Sequence, residues 1–256
     1  MKLLILSDLH LVSPADPHLG QHKQRAHFAK ARHHLPALRE AIGRESPDFL
    51  ISLGDLVDWY SDENRDFALA FLESLQLPWA MTPGNHDGSS PVPGIPDPGL
   101  SGWEAAGVAI HNRKLELDPL HAYLVNSHDS NVPPGTETWL REALDPEEVN
   151  AVFTHVPPDT PETRAAILAR EPQRNLRKYV QSQAPGLFEN AMAETVASVW
   201  SGHLHFHATA RIGKTRFNIL PLSIHAHGKT YPEQGHFHVL DTRTMDTQQI
   251  YFEPTP

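Results

Sequence analysis

The sequence predicts an α/β fold built on two β-sheets, and three observations carry that expectation. Over the first third of the chain, short apolar runs that stop at polar clusters alternate with amphipathic stretches, as parallel βαβ units require. Similar runs recur through the middle, separated by helix-like segments. After Gly202 the spacing tightens into short strands joined by turns, the pattern of antiparallel hairpins. No repeat, long linker or low-complexity tract interrupts the 256 residues, so residues 1–256 are read as a single domain.

Leu3-Leu4-Ile5-Leu6 is a continuous apolar run suited to a strand buried on both faces, and it ends at Ser7-Asp8. Gln21 to Gly43 reads as a helix through Phe28, Leu35, Leu38 and Ile42, with Pro36 expected to kink or split it. Phe49–Leu53 repeats the buried-strand pattern and stops at Gly54-Asp55. Asn64 to Leu75 follows as an amphipathic helix, then a strand at Trp79–Thr82 that stops at Pro83-Gly84-Asn85. Pro91 to Gly99 holds four prolines and two glycines, so it is an irregular loop, and its place after Asp87 makes it a candidate wall of a cleft. Strands are expected near Leu115–Leu117, Tyr123–Asn126, Ala151–Thr154 and Val196–Trp200, with helices at Thr136–Leu144, Pro161–Arg170 and Leu187–Glu194. The hairpin strands are Thr209–Ile212, Phe217–Leu220, Phe237–Leu240 and Gln249–Phe252.

Composition narrows the function classes. With 21 Lys+Arg against 31 Asp+Glu the formal charge is −10, which disfavours nucleic acid or anionic membrane as a bulk electrostatic partner. There is no Cys, which excludes disulfides, thiolate metal sites and a cysteine nucleophile, and fits a reducing compartment. The N-terminus meets a carboxylate at Asp8 where a signal peptide would still be apolar, and no apolar run approaches the roughly 20 residues that span a bilayer. A cytoplasmic protein is the expectation.

Eighteen histidines raise the question of whether some fall where only chemistry would need them. Each apolar strand ends in a cluster of metal-capable side chains: Asp8-Leu9-His10, Gly54-Asp55-Leu56-Val57-Asp58, Gly84-Asn85-His86-Asp87, Thr154-His155 and Gly202-His203-Leu204-His205. In open α/β sheets ligands bind beyond the carboxyl ends of the strands, so five such ends would share one site. Asp8 and His10, two apart on a segment read as extended, are expected to project to one side, and His203 and His205 to repeat that geometry. Oxygen and nitrogen donors without sulfur suit Mn, Fe, Co, Ni or Zn.

In this order the clusters resemble the D-x-H, G-D-x-x-D, G-N-H-D, H and G-H-x-H pattern of the calcineurin-like metallophosphoesterase superfamily, over roughly residues 1 to 210. The resemblance implies a four-layer αββα sandwich of two mixed β-sheets flanked by helices, and two divalent metal ions. It places Asp8, His10 and His205 on one metal, Asn85, His155 and His203 on the other, and Asp55 as the bridge. It further implies attack on a phosphoester by a metal-bridging hydroxide, with His86 facing the leaving group and Asp58 bonded behind it; the part of Asp87 stays open. Asp8 and Asp55 would then set −2 against the +4 of two divalent ions, so the inner site is cationic, about +2, inside an acidic chain.

Among subfamilies, Trp59 and Asp87 stand where the protein Ser/Thr phosphatases have other residues, and His86 is intact where the lipid A pathway hydrolases have Arg. Val125-Asn126-Ser127, Gly135, Trp139-Leu140 and Thr154-His155-Val156-Pro157-Pro158 resemble segments of the bacterial class III cyclic-nucleotide phosphodiesterases, although only one His of their His-rich stretch remains. A small phosphodiester, with a cyclic nucleotide as one example, is therefore the expected substrate. The alternative is a phosphomonoester. A nuclease ranks lower because neither the length nor the −10 charge favours a DNA-capping region, and a non-catalytic scaffold because no ligand of the pattern is missing. Of the other histidines, His33, His34, His236 and His238 are expected to face solvent. His18, His22, His128, His207, His225 and His227 fall in loops, His207 being the best candidate to border the site. Trp59 and Tyr60 are read either as a stacking platform for a base or as packing under the next helix.

Overall fold

The computed structural model describes residues 1–19, 28–90, 96–224 and 235–253. The chain runs β1 (Lys2–Leu6), α1 (Leu35–Glu45), β2 (Phe49–Ser52), α2 (Asp62–Ser74), β3 (Trp79–Met81), α3 (Ser101–Ala105), β4 (Arg113–Leu117), β5 (Leu120–Val125) and α4 (Thr136–Ala143). It continues through β6 (Val149–Thr154), α5 (Pro161–Arg170), α6 (Leu187–Ala191), β7 (Val196–Ser201), β8 (Ala208–Ile212), β9 (Thr215–Ile219), β10 (Gly235–Asp241) and β11 (Thr247–Phe252). One sheet has the order β11-β10-β1-β2-β3, the other β4-β5-β6-β7-β9-β8. Both are mixed: β1, β2 and β3 pair in parallel while β10 lies antiparallel to β1, and β5, β6, β7 and β9 are parallel between antiparallel edges.

The strand sequences explain the layers. In β1, Leu4 and Leu6 turn toward a core shared with Leu38, Ile42, Phe71 and Leu72 of α1 and α2. Leu3 and Ile5 turn the other way and meet Leu124, Phe153 and Trp200 of the second sheet. A strand covered on both faces needs apolar side chains at every position, which is why these runs do not alternate. The far face of the second sheet packs Tyr123, Val152 and Val199 against Leu140, Leu187 and Phe188 of α4 and α6. The result is helix, sheet, sheet, helix.

Local signals set the helix ends. Ser61 caps α2 by accepting from the Asn64 N–H, and Thr160 with Thr163 forms a capping box on α5 behind Pro161. Pro36 does not kink a long helix. A 3-10 segment, Phe28–His34, precedes it, and Pro36 lies in the first turn of α1, where its missing N–H costs nothing. The part of the expected helix before Phe28, most of the Pro91–Gly99 loop, His22, His225 and His227 lie outside the described residues.

The late antiparallel hairpins are present and divide between the sheets: β8–β9 completes the second sheet, while β10–β11 joins the first and pairs with β1. The short helix α3 was not anticipated. His236 and His238 do not face solvent; they are 1% and 5% exposed. Phe237 and Val239 of β10 take the helix-covered face, so the alternation sends both imidazoles between the sheets, His238 within 6.2 Å of the Trp200 ring. Burial, with His236 beside it, drives His238 down to about 3.

Candidate metal centre

Every cluster named from the sequence leaves its strand at the same edge of the sandwich. The segments after β1 and β7 are not extended, however. Asp8, His10, Asp55, His203 and His205 have φ of 54°, 45°, 50°, 71° and 60°, all in the left-handed region. Such residues cost on the order of 1–3 kcal/mol each and persist where the surroundings over-determine them. Here Leu9 and Leu204, fully buried between the paired donors, anchor each turn in the core. Backbone bonds lace residues 8–11 to 54–56: Asp8 N to Gly54 O (3.1 Å), His10 N to Asp55 O (2.9 Å) and Leu11 N to Leu56 O (2.8 Å).

Two glycines make room for the carboxylates. A Cβ on Gly84 would stand 2.2 Å from Asp55 Oδ1, and one on Gly202 would stand 2.4 Å from Asp8 Oδ2. Asp87 holds the loops together. Its Oδ2 accepts from the N–H groups of Asp55 (2.9 Å) and Gly84 (2.8 Å), and its Oδ1 from that of Val57 (3.2 Å). Burial and the nearby Asp55 charge push its carboxyl up to about 7 against those backbone bonds. Its own carbonyl accepts from Trp103 Nε1 at 2.8 Å, which explains why α3 sits where it does.

Among the described residues the donors form three groups; His10, Asp58 and His86 are one, and the other two share a single Asp55 oxygen. Asp8, His10, Asp55 and His205 gather within 4.8 Å, as do Asp55, His155 and His203. His10 Nε2 lies 3.0 Å from His205 Nε2 and 3.6 Å from Asp55 Oδ2, and His205 Nε2 lies 3.4 Å from Asp8 Oδ1. On the other side His155 Nε2 is 3.2 Å from both His203 Nδ1 and Asn85 Oδ1, and 3.4 Å from the same Asp55 Oδ2. Atoms bound about 2.1 Å from a common ion sit about 3.0–3.4 Å apart at octahedral or tetrahedral angles, so these spacings fit two divalent cations. Asp55 Oδ1 is held by the His86 N–H at 2.8 Å, which leaves Oδ2 for both groups.

Neighbouring acceptors fix the imidazole tautomers. His10 Nδ1 bonds the Asp58 carboxylate (2.9 Å), His155 Nδ1 the Leu53 carbonyl (2.8 Å), and His203 Nε2 the Lys178 carbonyl (2.9 Å). Each ring donates outward and turns its lone pair inward, as a metal ligand must. Burial holds His10 and His203 at about 4, so both are neutral at pH 7. Burial opposes the charges of Asp8 and Asp55. Even so, His205 and His155 keep Asp8 below the usual carboxylate range, and His155 and His86 keep Asp55 well below it. Burial lowers His155 too, but the Asp55 charge more than offsets it and raises the ring to about 9, so without a cation its inward nitrogen carries a proton that a bound metal would displace.

The Asp58 carboxylate stands closer to His10, at 2.9 Å from its Nδ1, than to His86, with whose Nδ1 it makes a longer ion pair of 3.9 Å. His86 Nδ1 instead donates to the Asp58 main-chain carbonyl at 2.7 Å. Asp58→Asn is thus expected to weaken the metal at His10 roughly 10–100-fold, the usual cost of losing such a partner, while the His155–His203 site keeps its affinity. Metal titration followed by calorimetry checks this; equal weakening of both sites would contradict it.

The pocket above the donors has a volume of about 230 Å³ and is lined by Asp55, Asn85, His86, Arg174, Tyr179, His203, Leu204 and His205. Neither His207 nor the described part of the Pro91–Gly99 loop lines it. His207 borders a separate cavity of about 190 Å³ between the sheets, with Trp200 and Arg216. His128 bonds Asn126 and Asp129 instead. Trp59 is buried and donates to Asp16 (3.1 Å), so it packs and does not stack on a base. Arg174 and Tyr179 were missed by sequence reasoning. The only hint is four basic residues, Arg170, Arg174, Arg177 and Lys178, within nine positions of an acidic chain.

Residues 1–207 match the family model described as calcineurin-like phosphoesterase. The chain belongs to that family. Solved structures agree on the fold of this calcineurin-like phosphoesterase. A dimetal phosphatase from Danio rerio is 14% identical with a TM-score of 0.66, over 100% of this chain and 96% of that one. A phosphopantetheinyl hydrolase from Mycobacterium tuberculosis is 15% identical at 0.52, over 86% and 89%. The purple acid phosphatase PPD1 of yellow lupin, Lupinus luteus, is 13% identical at 0.57, over 98% of this chain and 53% of its own. No curated protein matches the chain in sequence. Among the described residues no helix is long and apolar enough to cross a membrane.

Proposed function

We propose that this calcineurin-like phosphoesterase hydrolyses a small phosphodiester at a dinuclear metal centre. Asp8, His10 and His205 would hold one ion and Asn85, His155 and His203 the other, with Asp55 available to both. The observation that carries the reading is the single oxygen, Asp55 Oδ2, lying between the two donor groups. When bound, two such ions supply Lewis acidity toward the phosphoryl oxygens and a water acidified for attack. The protein's own part is to orient and to move a proton. Asp8 is steadied by the His203 N–H (3.1 Å) and by the Ser7 hydroxyl. His86 presents its second ring nitrogen to the pocket, where it can protonate the departing oxygen.

The diester preference rests on room. The metal pocket opens onto a shallow, larger cleft along residues 170–175 that shares Arg174 and Tyr179 with it, a surface on which a second ester group could lie. The motif resemblance to cyclic-nucleotide phosphodiesterases gives no help at the site, because Trp139 and Leu140 pack into the α4 core. With metal-reconstituted protein, bis-p-nitrophenyl phosphate is expected to turn over faster than p-nitrophenyl phosphate at matched concentration, with cyclic nucleotides tested next. Faster hydrolysis of the monoester would favour a phosphomonoesterase.

A further inference from the structure

The segment between α5 and α6 does two things at once. Its Lys178 carbonyl accepts from His203 Nε2, and the neighbouring Tyr179 ring lies 5.1 Å from the His203 ring. That fixes a metal donor. The same Tyr179 carries the Arg174 guanidinium 4.2 Å from its ring centroid, and Phe206, next to His205, lies 5.8 Å away on the same cation. Arg174 is thereby held between Tyr179, whose ring lies against His203, and Phe206, which follows His205, a stacked arrangement that pre-sets a side chain with several rotatable bonds.

What Arg174 does with its donors is the telling part. Its Nη2 pairs with Glu171 on the same turn. Its Nε is buried and has no hydrogen-bond partner among the described residues. The residue lines the metal pocket with Asp55 and His86, and also lines the larger cleft with Arg170 and Tyr179. A cation that borders both spaces suits an anionic group that enters beside the scissile phosphoryl and not in its place. Planar N–H donors on a fork match the oxygens of a carboxylate or a phosphate.

We infer that Arg174, stacked on Tyr179, is a substrate-binding residue for a second anionic group, carboxylate or phosphate, carried on the leaving-group side of the phosphoester. The inference rests on the phosphoesterase reading and adds a substrate class to it: phosphoesters with an additional negative charge close to the ester oxygen. Discrimination would come from the protein cation, and the metal centre would bind the phosphoryl common to all.

The test is a matched series of ligands bound to the metal-reconstituted protein. Glycerol 3-phosphate has a neutral tail, 3-phosphoglycerate a carboxylate, and glycerol 1,3-bisphosphate a second phosphate. Dissociation constants from calorimetry, and inhibition constants against bis-p-nitrophenyl phosphate, are expected to favour one or both doubly anionic ligands over glycerol 3-phosphate by at least about tenfold. The ligand with the larger advantage identifies which anion the site takes. In Arg174→Gln that advantage should fall below about threefold, and Arg174→Lys, which keeps the charge without the fork, should restore part of it. Equal binding of all three ligands by the unmodified protein would overturn the inference. So would an Arg174→Gln variant that weakens all three alike, which would place Arg174 on the scissile phosphoryl or in a purely structural role. A metal-loaded protein that neither hydrolyses p-nitrophenyl esters nor binds glycerol 3-phosphate would instead overturn the phosphoesterase reading itself.

Discussion

Replacing Asp55 by Asn is expected to empty both metal sites together. The hydrogen bond from the His86 N–H at 2.8 Å demands an acceptor at the Oδ1 position. An asparagine that keeps its oxygen there must put its NH₂ at the Oδ2 position, between His10 Nε2 and His155 Nε2. A donor then points at both cations where a shared anion stood, and the inner charge rises from about +2 to about +3. Flipping the amide restores one ligand oxygen but leaves the His86 N–H facing another donor. Elemental analysis of the purified variant should find well under one metal per chain, and hydrolysis should fall by at least about 10³-fold if electrostatic stabilisation of the phosphoryl is the dominant contribution. Folding is checked separately. Losing the Asp55 charge relieves Asp87, raised to about 7, but it also takes from buried His155 the partner that raises it to about 9. The metal-free variant should therefore melt below the metal-free parent at neutral pH while keeping a cooperative transition, and metal content is read on the folded protein. Full retention of two metals would show that another residue bridges.

Where the chain's own periodicity decides the structure, the sequence could be read. β1 and β2 are continuous apolar runs because both faces are covered, Leu4 and Leu50 under the helices and Leu3 and Ile51 between the sheets. The same logic failed for β10. His236-Phe237-His238-Val239 has the alternation of a half-exposed strand, and nothing in it reveals that a second sheet covers the imidazole face. The strand-end donors were legible because they follow the apolar runs directly. Their backbone was not: a left-handed turn anchored by Leu9 or Leu204 and an extended segment both set alternate residues on one side, and only the φ angles distinguish them.

Residues whose positions depend on remote partners left no trace in the sequence. Asp58 was placed behind His86, yet its carboxylate reaches His10, 48 positions away. Arg174 lies in a turn without periodic pattern, and its role follows from Tyr179 and Phe206, brought together only when α5 packs against β8. The helix α3 is five residues long, too short for a periodic signature, and is held by bonds from Trp103 to the Asp87 carbonyl and from Arg65 to the Gly102 carbonyl.

His86→Ala should separate chemistry from metal binding. His86 lies outside the two donor groups that share Asp55, its Nδ1 is held by the Asp58 main-chain carbonyl, and it lines the pocket. Because that acceptor is backbone, it survives any substitution at position 58. A leaving oxygen accumulates negative charge as its bond to phosphorus breaks, and a positioned imidazolium that protonates it contributes typically 10²–10⁴-fold in rate. A methyl or other alkyl ester, whose alkoxide is a poor leaving group, should therefore lose roughly 10²-fold or more in His86→Ala. A p-nitrophenyl ester, which departs without a proton, should lose about tenfold or less, and metal content should remain at two per chain. Replacing Asp58 by Asn should leave this contrast intact, since its carboxylate acts on His10. Equal losses on both esters, or loss of metal from His86→Ala, would mean that the ring only positions Asn85 and the Asp55-binding N–H beside it.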